Sequence, residues 1–522
     1  MLVGTLVARA ARRFADRVAL DGPQGIQTFA QLGDRVARLA AGLLATGLRP
    51  GDRVLDLQPN QNTYVETDLA CCTAGLVRVA LNYRLHPDDW ARIADDCGAS
   101  ALIYDARYAE PSSALRDGLG DKRVVVIGDG PGIAYEELAR GPVGAAAGHE
   151  ARPDDLVSLN YTSGTTGRPK GVRRTHRVRY ASLVNMVSDV LGAPPGPDDV
   201  YLHAGPITHT SGLFVLPFLA YGARQVILPS FDPQAVVEAV RERGATHTAL
   251  VPTMVARLLA LGEPLPGLKM LGYAGAPMPP EQIRQAYERL NRNLVQYYGL
   301  VEAIPPVTVL DAADHAAGLA ADGDPDLLTS AGRPALGVEL SIMDDSGRIL
   351  PPGEIGEVVT RGDHVMPGYW TDPAGTVRAV DADGWLHTGD LGRLDGSGRL
   401  WLVDRKGDMI ITGGYNVYPR EVEDVIAEVP GVREVAVVGL ADPDWGQRIV
   451  ALYVGEPDPA TIEGHCRARL ASYKKPKEIR RVDRFPLNAT GKIAKNVLRA
   501  DLERTATAHP GTARISPEDA GG

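Results

Sequence analysis

The chain has 522 residues, 44% of them hydrophobic, and a formal net charge of −10. That length predicts several packing units, about three at roughly 150 residues each, and the acidic balance without a basic stripe excludes nucleic-acid binding as a main function. Four cysteines, Cys71, Cys72, Cys97 and Cys466, make no CxxC pair, which argues against a disulfide framework or zinc site and predicts buried, reduced thiols in a cytoplasmic protein.

The opening stretch MLVGTLVARAARRFADRV is broken by charge every few residues and predicts an amphipathic helix rather than a signal peptide. No apolar run in the chain is long enough to span a membrane. Up to residue 150, helical spacing in FAQLGDRVARLAAGLLATGL alternates with short apolar runs such as RVLDL, ALIYDA and RVVVIGD. This rhythm predicts α/β layers with largely parallel strands. Gly128-Asp-Gly130-Pro-Gly132 resembles half a dinucleotide fingerprint, but Pro131 interrupts the helix start, so a strand-ending turn is the better reading.

Tyr161-Thr-Ser-Gly-Thr-Thr-Gly-Arg-Pro-Lys-Gly-Val172 packs four small hydroxyl residues, three glycines and a lysine into twelve positions. Glycines let backbone N–H groups approach a ligand, hydroxyls add donors, and Lys170 adds a mobile positive charge, a set suited to polyphosphate. It is not a Walker A loop, because Pro169 and Gly171 flank the lysine where that motif opens a helix. The loop is expected between two strands, with DLVSLNYTS leading in; a solvated turn is the alternative on composition alone.

The alternating pattern continues through ARQVILPS, AVVEAVRERGATHTALVP and LKMLGYAG. Polar clusters follow several of the runs: Gly275-Ala276-Pro277, Tyr298-Gly299-Leu300-Val301-Glu302, Gly384 to Asp390, Asp404 to Asp408 and Asn488 to Lys492. In open α/β sheets ligands bind beyond the carboxyl ends of strands, so these clusters are expected to converge. After residue 330, VELSIMDDSGRILPPGEIGEVVTRGD predicts short antiparallel strands with Asp/Ser/Gly turns. From about residue 405, REVEDVIAEV, REVAVVGLADP, RIVALYVG and TIEGHCRARLAS predict a small α+β unit.

This ordered set, over about residues 10–500, resembles the acyl-CoA synthetase branch of the adenylate-forming enzymes. The resemblance implies an α/β fold in which a large N-terminal domain of α/β layers, with a small β-barrel-like part, precedes a small mobile α+β C-terminal domain. The implied divisions are residues 1–404, a hinge at 405–408, 409–505, and a flexible tail at 506–522. It implies ATP-dependent joining of a carboxylic acid to CoA through acyl-AMP, with Mg2+ as cofactor. Thr162, Ser163, Gly164, Thr165, Thr166 and Lys170 match the phosphate loop. His209 matches a histidine beside the acyl pocket, Gly275, Ala276 and Pro277 a strip along the adenine, and Tyr298, followed by Gly299, the aromatic on its other face. Glu302 matches the magnesium ligand, Asp390 and Arg405 the ribose contacts, Lys492 the catalytic lysine, and Gly413 and Gly414 the lining of the thiol tunnel.

Two residues depart from the family pattern: Val301 stands where Thr or Ser is usual, and Gly407 where Asp or Lys is usual. Both bear on adenylation, which predicts as an alternative an enzyme that mainly converts acyl-AMP to acyl-CoA. A separate carrier protein is the alternative acceptor, and a homodimer is an assembly common among such enzymes. The pocket segments HTSGLF, LVPTMV, GYAGAP and YYGLVEAI are mostly apolar, which favours a hydrophobic acyl group over a dicarboxylate needing a buried arginine.

Overall fold

The apolar runs of the first 330 residues become the strands of two sheets. In the computed structural model, which describes residues 2–119, 123–143, 150–162, 169–487 and 493–508, one sheet has seven strands and the other nine. The seven-stranded sheet runs in the order Ile133–Ala134, Val124–Ile127, Ala101–Asp105, Arg53–Leu57, Val77–Ala80, Leu156–Thr162 and Lys170–Thr175, parallel throughout except for the last pair. The nine-stranded sheet has a parallel centre, Leu294–Tyr298, Met270–Ala274, His247–Leu250, Val200–His203, Arg224–Ile227 and Val18–Gly22, with antiparallel strands at both margins. Central strands such as Ala101–Asp105 and Met270–Ala274 are buried at every residue. Parallel strands covered on both faces therefore read as continuous apolar runs rather than alternating ones.

The expected helices form where their signals stand. Val3–Arg13 buries Val3, Leu6, Val7 and Ala10 along one stripe. Phe29–Ala45 starts at a capping box between Thr28 and Gln31 and buries Phe29, Leu32, Val36, Leu39 and Leu43. The Gly128–Gly132 segment is a turn, with Gly128 at φ 91° and Gly132 at φ 122°, and leads back into the same sheet. All four cysteines are free and buried.

The helix Asn62–Ala74 was not visible as a periodic stripe, because twelve of its residues are buried and they lie on every side. Its charged residues need partners there. Glu66 accepts hydrogen bonds from Gln27 at 2.6 Å, Arg35 at 2.7 Å and Tyr135 at 2.9 Å. Asp68 lies between Arg179 and Arg78.

Past residue 330, Glu339–Met343 and Gly356–Arg361 pair antiparallel and belong to a four-stranded sheet with Leu386–Leu394 and Leu400–Arg405. The chain divides into two units, Met1–Thr388 with Gly392–Leu402, and Gly389–Leu391 with Val403–Gly522. The second unit is a separate α/β body. Its long strands Val432–Asp442 and Gly446–Gly455 send alternate residues to two cores. Val437, Ile449 and Ala451 meet the helices Pro419–Ala427 and Pro459–Arg469, while Ala436, Val438 and Val450 meet Phe485, Leu498 and Leu502. Among the described residues, no helix is long and apolar enough to cross a membrane.

Two stability predictions follow from the buried polar groups. Arg35→Met leaves Glu66 charged and buried, and is expected to lower stability by roughly 3–5 kcal/mol, read as a fall in the urea midpoint. Glu136→Gln removes only Arg35's more exposed partner and should cost less than about 1 kcal/mol. Burial pushes His203 and His364 down to about 4, below the unfolded value of about 6.5. The unfolded chain therefore takes up protons first, so this stability is complete above about pH 6.5 and is lost as pH falls toward 4, by on the order of 3 kcal/mol per imidazole. A urea midpoint that stays flat from pH 7 to pH 5 would contradict this assignment.

Candidate active site

Three of the sequence clusters leave the same edge of the nine-stranded sheet. His209 follows the carboxyl end of Val200–His203, Gly275–Pro277 follows Met270–Ala274, and Tyr298–Glu302 ends and follows Leu294–Tyr298. The last two strands are direct parallel neighbours, with Ala274 opposite Tyr297. Gly275 takes φ 89°, a left-handed conformation that turns the chain sharply at the strand end. Gly275 and Pro277 are exposed, and Ala276, Tyr298 and Gly299 half-buried. A side chain at Gly299 would meet Pro305 at 2.8 Å.

The loop of small residues leaves the other sheet. Thr162 ends one strand and Lys170 opens the next, and the two are cross-strand partners. The strands flank the loop as Pro169 and Gly171 require. Ser163, Gly164, Thr165 and Thr166 lie outside the described residues, as does Lys492.

The two sheets are joined by the segment His364–Trp370. Its first half pairs with the loop after Tyr298: Met366 donates to the Glu302 carbonyl at 2.8 Å and Ile304 to the His364 carbonyl at 3.0 Å. Its second half pairs with the strand after the phosphate-type loop: Arg173 donates to the Gly368 carbonyl at 3.1 Å and Trp370 to the Gly171 carbonyl at 2.8 Å. Gly171 must be small here, since a Cβ would lie 3.0 Å from the Tyr161 ring and 3.2 Å from Trp370.

Tyr369 sits between the two halves and was not singled out by sequence. Its hydroxyl donates to Glu302 Oε1 at 3.1 Å, and its ring centroid lies 4.9 Å from Lys170 Nζ. One aromatic side chain thus holds a carboxylate at its tip and a cation over its face. Burial and the neighbouring Glu302 raise the Tyr369 hydroxyl pKa, so it stays a donor. Lys170 also lies 3.5 Å from Asp372 Oδ2. The Gly375 amide and then Lys170 hold the Asp372 carboxyl below its ordinary range. The sequence signal for Tyr369 was its place in MPGYWTDP, two residues after a proline and beside a second aromatic.

His209 lines a cavity of ≈ 80 Å³ between the two sheets. Asn82 Nδ2 lies 3.2 Å from His209 Nε2. Asn60 positions the preceding turn: its amide donates to the Gly205 carbonyl at 2.8 Å, and its carbonyl oxygen accepts from the Ile207 amide at 2.9 Å. The apolar part of the wall is Leu159, Leu183, Ile207, Val215, Leu216 and Ile304. The expectation of a mostly apolar pocket needs correction, because Asp68, Arg78, Arg174 and Arg179 also line it. They come from strands and helices that the pocket motifs do not include.

The remaining candidates belong to the second unit. Asp390 is buried and accepts from Arg405 Nε at 3.0 Å, while the Arg405 side chain is 64% exposed. Asp404 caps the following turn, accepting from the amides of Arg405 at 2.7 Å and Arg420 at 3.0 Å. Gly413 and Gly414, at φ 57° and 82°, form a two-residue hairpin turn between Ile410–Thr412 and Tyr415–Val417. The Gly413 amide donates to the Trp445 carbonyl at 2.8 Å, and a Cβ there would meet the Trp445 ring at 2.9 Å.

Glu302 is the candidate metal ligand, and its chemistry fits a hard cation. It offers one carboxylate oxygen beyond the one Tyr369 binds, and no group of three or more His, Cys, Asp or Glu side chains that could hold a metal occurs among the described residues. Such a position suits Mg2+ carried largely by phosphate and water oxygens, and does not suit an ion needing a full protein cage.

Comparison with known proteins agrees with this arrangement. A family model for the AMP-binding enzyme matches residues 7–370, and one for the AMP-binding enzyme C-terminal domain matches residues 421–492. The chain is 39% identical over 511 residues to a feruloyl-CoA synthase of an Amycolatopsis species, covering 95% of this chain and 98% of that one. It is 35% identical to the indoleacetate–CoA ligase of Aromatoleum aromaticum, covering 94% and 96%. Among solved structures, the amide bond synthetase McbA from Marinactinospora thermotolerans superposes with a TM-score of 0.86 at 32% identity, covering 96% and 99%.

Proposed function

The chain belongs to the adenylate-forming acyl-CoA synthetase superfamily, and on that premise we propose that it joins a carboxylic acid with an apolar body to CoA through an acyl-AMP. The observation that carries this reading is the convergence of Lys170 and Glu302 on Tyr369, at the strand ends that also carry His209.

An AMP-forming acid–thiol ligase works in two halves. An acid carboxylate oxygen attacks the α-phosphorus of ATP, the bond to the bridging oxygen breaks, and pyrophosphate leaves with that electron pair. The CoA sulfur then attacks the acyl carbonyl, the bond to the AMP oxygen breaks, and the thiol proton passes to solvent. Lys170 is assigned to the β- and γ-phosphates together with the hydroxyls and amides of its loop. Glu302 would hold Mg2+, which offsets phosphate charge when bound. Lys492 is assigned to the α-phosphate, where a cation stabilises the charge that develops as the carboxylate attacks. Gly275, Ala276, Pro277 and Tyr298 are assigned to the adenine, and Asp390 with Arg405 to the ribose hydroxyls. The glycine hairpin at 413–414 presents backbone with no side chain, as passage of a pantetheine arm requires.

A second reading rests on two positions. Val301 packs in an apolar cluster with Ala303, Met366 and Val172, so it brings no hydroxyl toward a phosphate. Gly407 has open space around it and is not required by a left-handed backbone. In that reading adenylation is slow, and the better-kept activity is transfer from acyl-AMP to CoA.

Acid-dependent exchange between ATP and pyrophosphate tests the first half. Rapid exchange supports a complete synthetase and removes the second reading. Slow exchange beside rapid thioesterification of supplied acyl-AMP supports the second. Mass spectrometry with free CoA distinguishes CoA from a carrier protein as acceptor. Lys492→Ala and Glu302→Gln are each expected to slow exchange by about 10² or more. Tyr369→Phe removes one hydrogen bond to a charged group, about 1.5 kcal/mol. It should change the Mg2+ concentration for half-maximal exchange by roughly tenfold while leaving the acid concentration dependence unaltered.

A further inference from the structure

The cavity beside His209 carries more positive charge than activation of a simple acid uses. Three arginines line it, and two are neutralised. Arg78 sits 2.5 Å from Asp56 and 3.3 Å from Asp68. Arg179 forks onto both oxygens of Asp68 at 3.1 and 2.7 Å. The third, Arg174, has no carboxylate within 4 Å among the described residues; Glu302 and then Asp68 act on it only at longer range. Its one hydrogen bond is a long contact, 3.4 Å from Nη2 to the Val301 carbonyl, and its Nε is buried with nothing to accept from it. The Thr208 hydroxyl, on the same wall, is also buried without a partner.

Asp56 and Asp68 are taken up by Arg78 and Arg179, with Asp68 shared between two guanidinium groups, and the carboxylate that acts most on Arg174, Glu302, is the one assigned above to Mg2+. Burial, and then the neighbouring Arg179, lower the pKa of Arg174 to about 10, so it is still charged at neutral pH. A desolvated cation whose opposite charges lie only at longer range is unfavourable, and a protein keeps one where a ligand supplies a closer counter-charge. The β- and γ-phosphates assigned to Lys170 are a poor candidate. Arg174 lies four residues along its strand from Lys170, a distance of roughly 13 Å, and opens into the cavity that His209 lines.

We propose that Arg174 receives a second anionic group on the acyl substrate, so that the acid activated is a dicarboxylate: one carboxylate reacts near His209, an apolar spacer lies along Leu159, Leu183 and Ile304, and the far carboxylate pairs with Arg174. This deepens the function proposed above and rests on it for the placement of the acyl group in this cavity. A guanidinium fork matches a carboxylate in two parallel hydrogen bonds. The free Nε is one prong of such a fork.

The test compares the dicarboxylates from succinate to suberate with monocarboxylates of equal length, in two measurements on the full chain. The first is thermal stabilisation by each acid without ATP; the second is kcat/KM for acyl-CoA formation with ATP and CoA. The expected result is greater stabilisation by at least one dicarboxylate than by its matched monoacid, and at least a tenfold preference in kcat/KM. In Arg174→Met both preferences collapse, and activity with the monoacid rises. Arg174→Lys keeps the charge without the fork and should retain part of the preference, which guards against a folding defect in the methionine variant. Equal use of mono- and dicarboxylates by the unaltered chain overturns the inference, as does an equal loss for both classes in Arg174→Met, the result expected if Arg174 serves the reacting carboxylate or a phosphate. Arg174-dependent stabilisation by a dicarboxylate with no acyl-CoA formed from any acid would uphold the anion site while overturning the synthetase reading.

Discussion

The site hangs on the backbone ladder that His364–Trp370 makes with two separate pieces of chain. One side of that segment bonds to Glu302 and Ile304, in the loop that follows strand Leu294–Tyr298 of the nine-stranded sheet. The other bonds to Gly171 and Arg173, which belong to the seven-stranded sheet. Backbone hydrogen bonds of this kind fix direction as well as distance, because each amide has one donor axis. The ladder puts Tyr369 between a cation from one sheet and a carboxylate from the other. Neither charge would stay near the other without it: direct pairing of Lys170 with Glu302 would consume the groups that a magnesium–phosphate ligand needs. An aromatic ring avoids that loss. It attracts the lysine through its face and the carboxylate through its hydroxyl, and leaves both with unused capacity.

Much of this arrangement was legible in the chain. Buried parallel strands announce themselves as short Val/Ile/Leu runs, and Pro169 and Gly171 rule out the helix that a Walker A lysine would open. What was not legible shares one cause. Helix Asn62–Ala74 carries its polar residues into the interior on all sides, so no stripe distinguishes Glu66 and Asp68 from surface residues. In RRTHRVR, Arg174 and Arg179 turn inward to a cavity while Arg177 points outward to Asp154, a difference that the run of like residues does not mark. Local sequence carries the period of an element but not the identity of what lies across from it. The acidic partner of Arg179, Asp68, is more than a hundred positions away.

The polar interior also explains why the pocket could be misjudged from its motifs. HTSGLF and YYGLVEAI supply one wall, and they are apolar as read. The opposite wall comes from Val77–Ala80, Leu156–Thr162, Lys170–Thr175 and the helix His176–Asn185. Strands of one sheet therefore set the chemistry of a cavity whose family motifs sit mainly on the other. In such a two-walled site, the motif wall can be common to many acids while the second wall discriminates among them.

This division has an energetic consequence for how the enzyme treats its substrates. The apolar wall rewards any acyl group in proportion to the area it covers, about 25 cal/mol per Å², and so separates neighbouring chain lengths only weakly. The charged wall acts differently. An acid with an apolar far end would leave Arg174 desolvated with opposite charges only at longer range, a penalty that little contact area in so small a cavity can offset. Selection by an unmet charge is thus exclusion of wrong substrates more than attraction of the right one. The 3.4 Å contact from Arg174 to the Val301 carbonyl ties the cation to the residue just before Glu302, so the far end of the cavity and the candidate metal-binding carboxylate are adjacent along one short stretch of backbone.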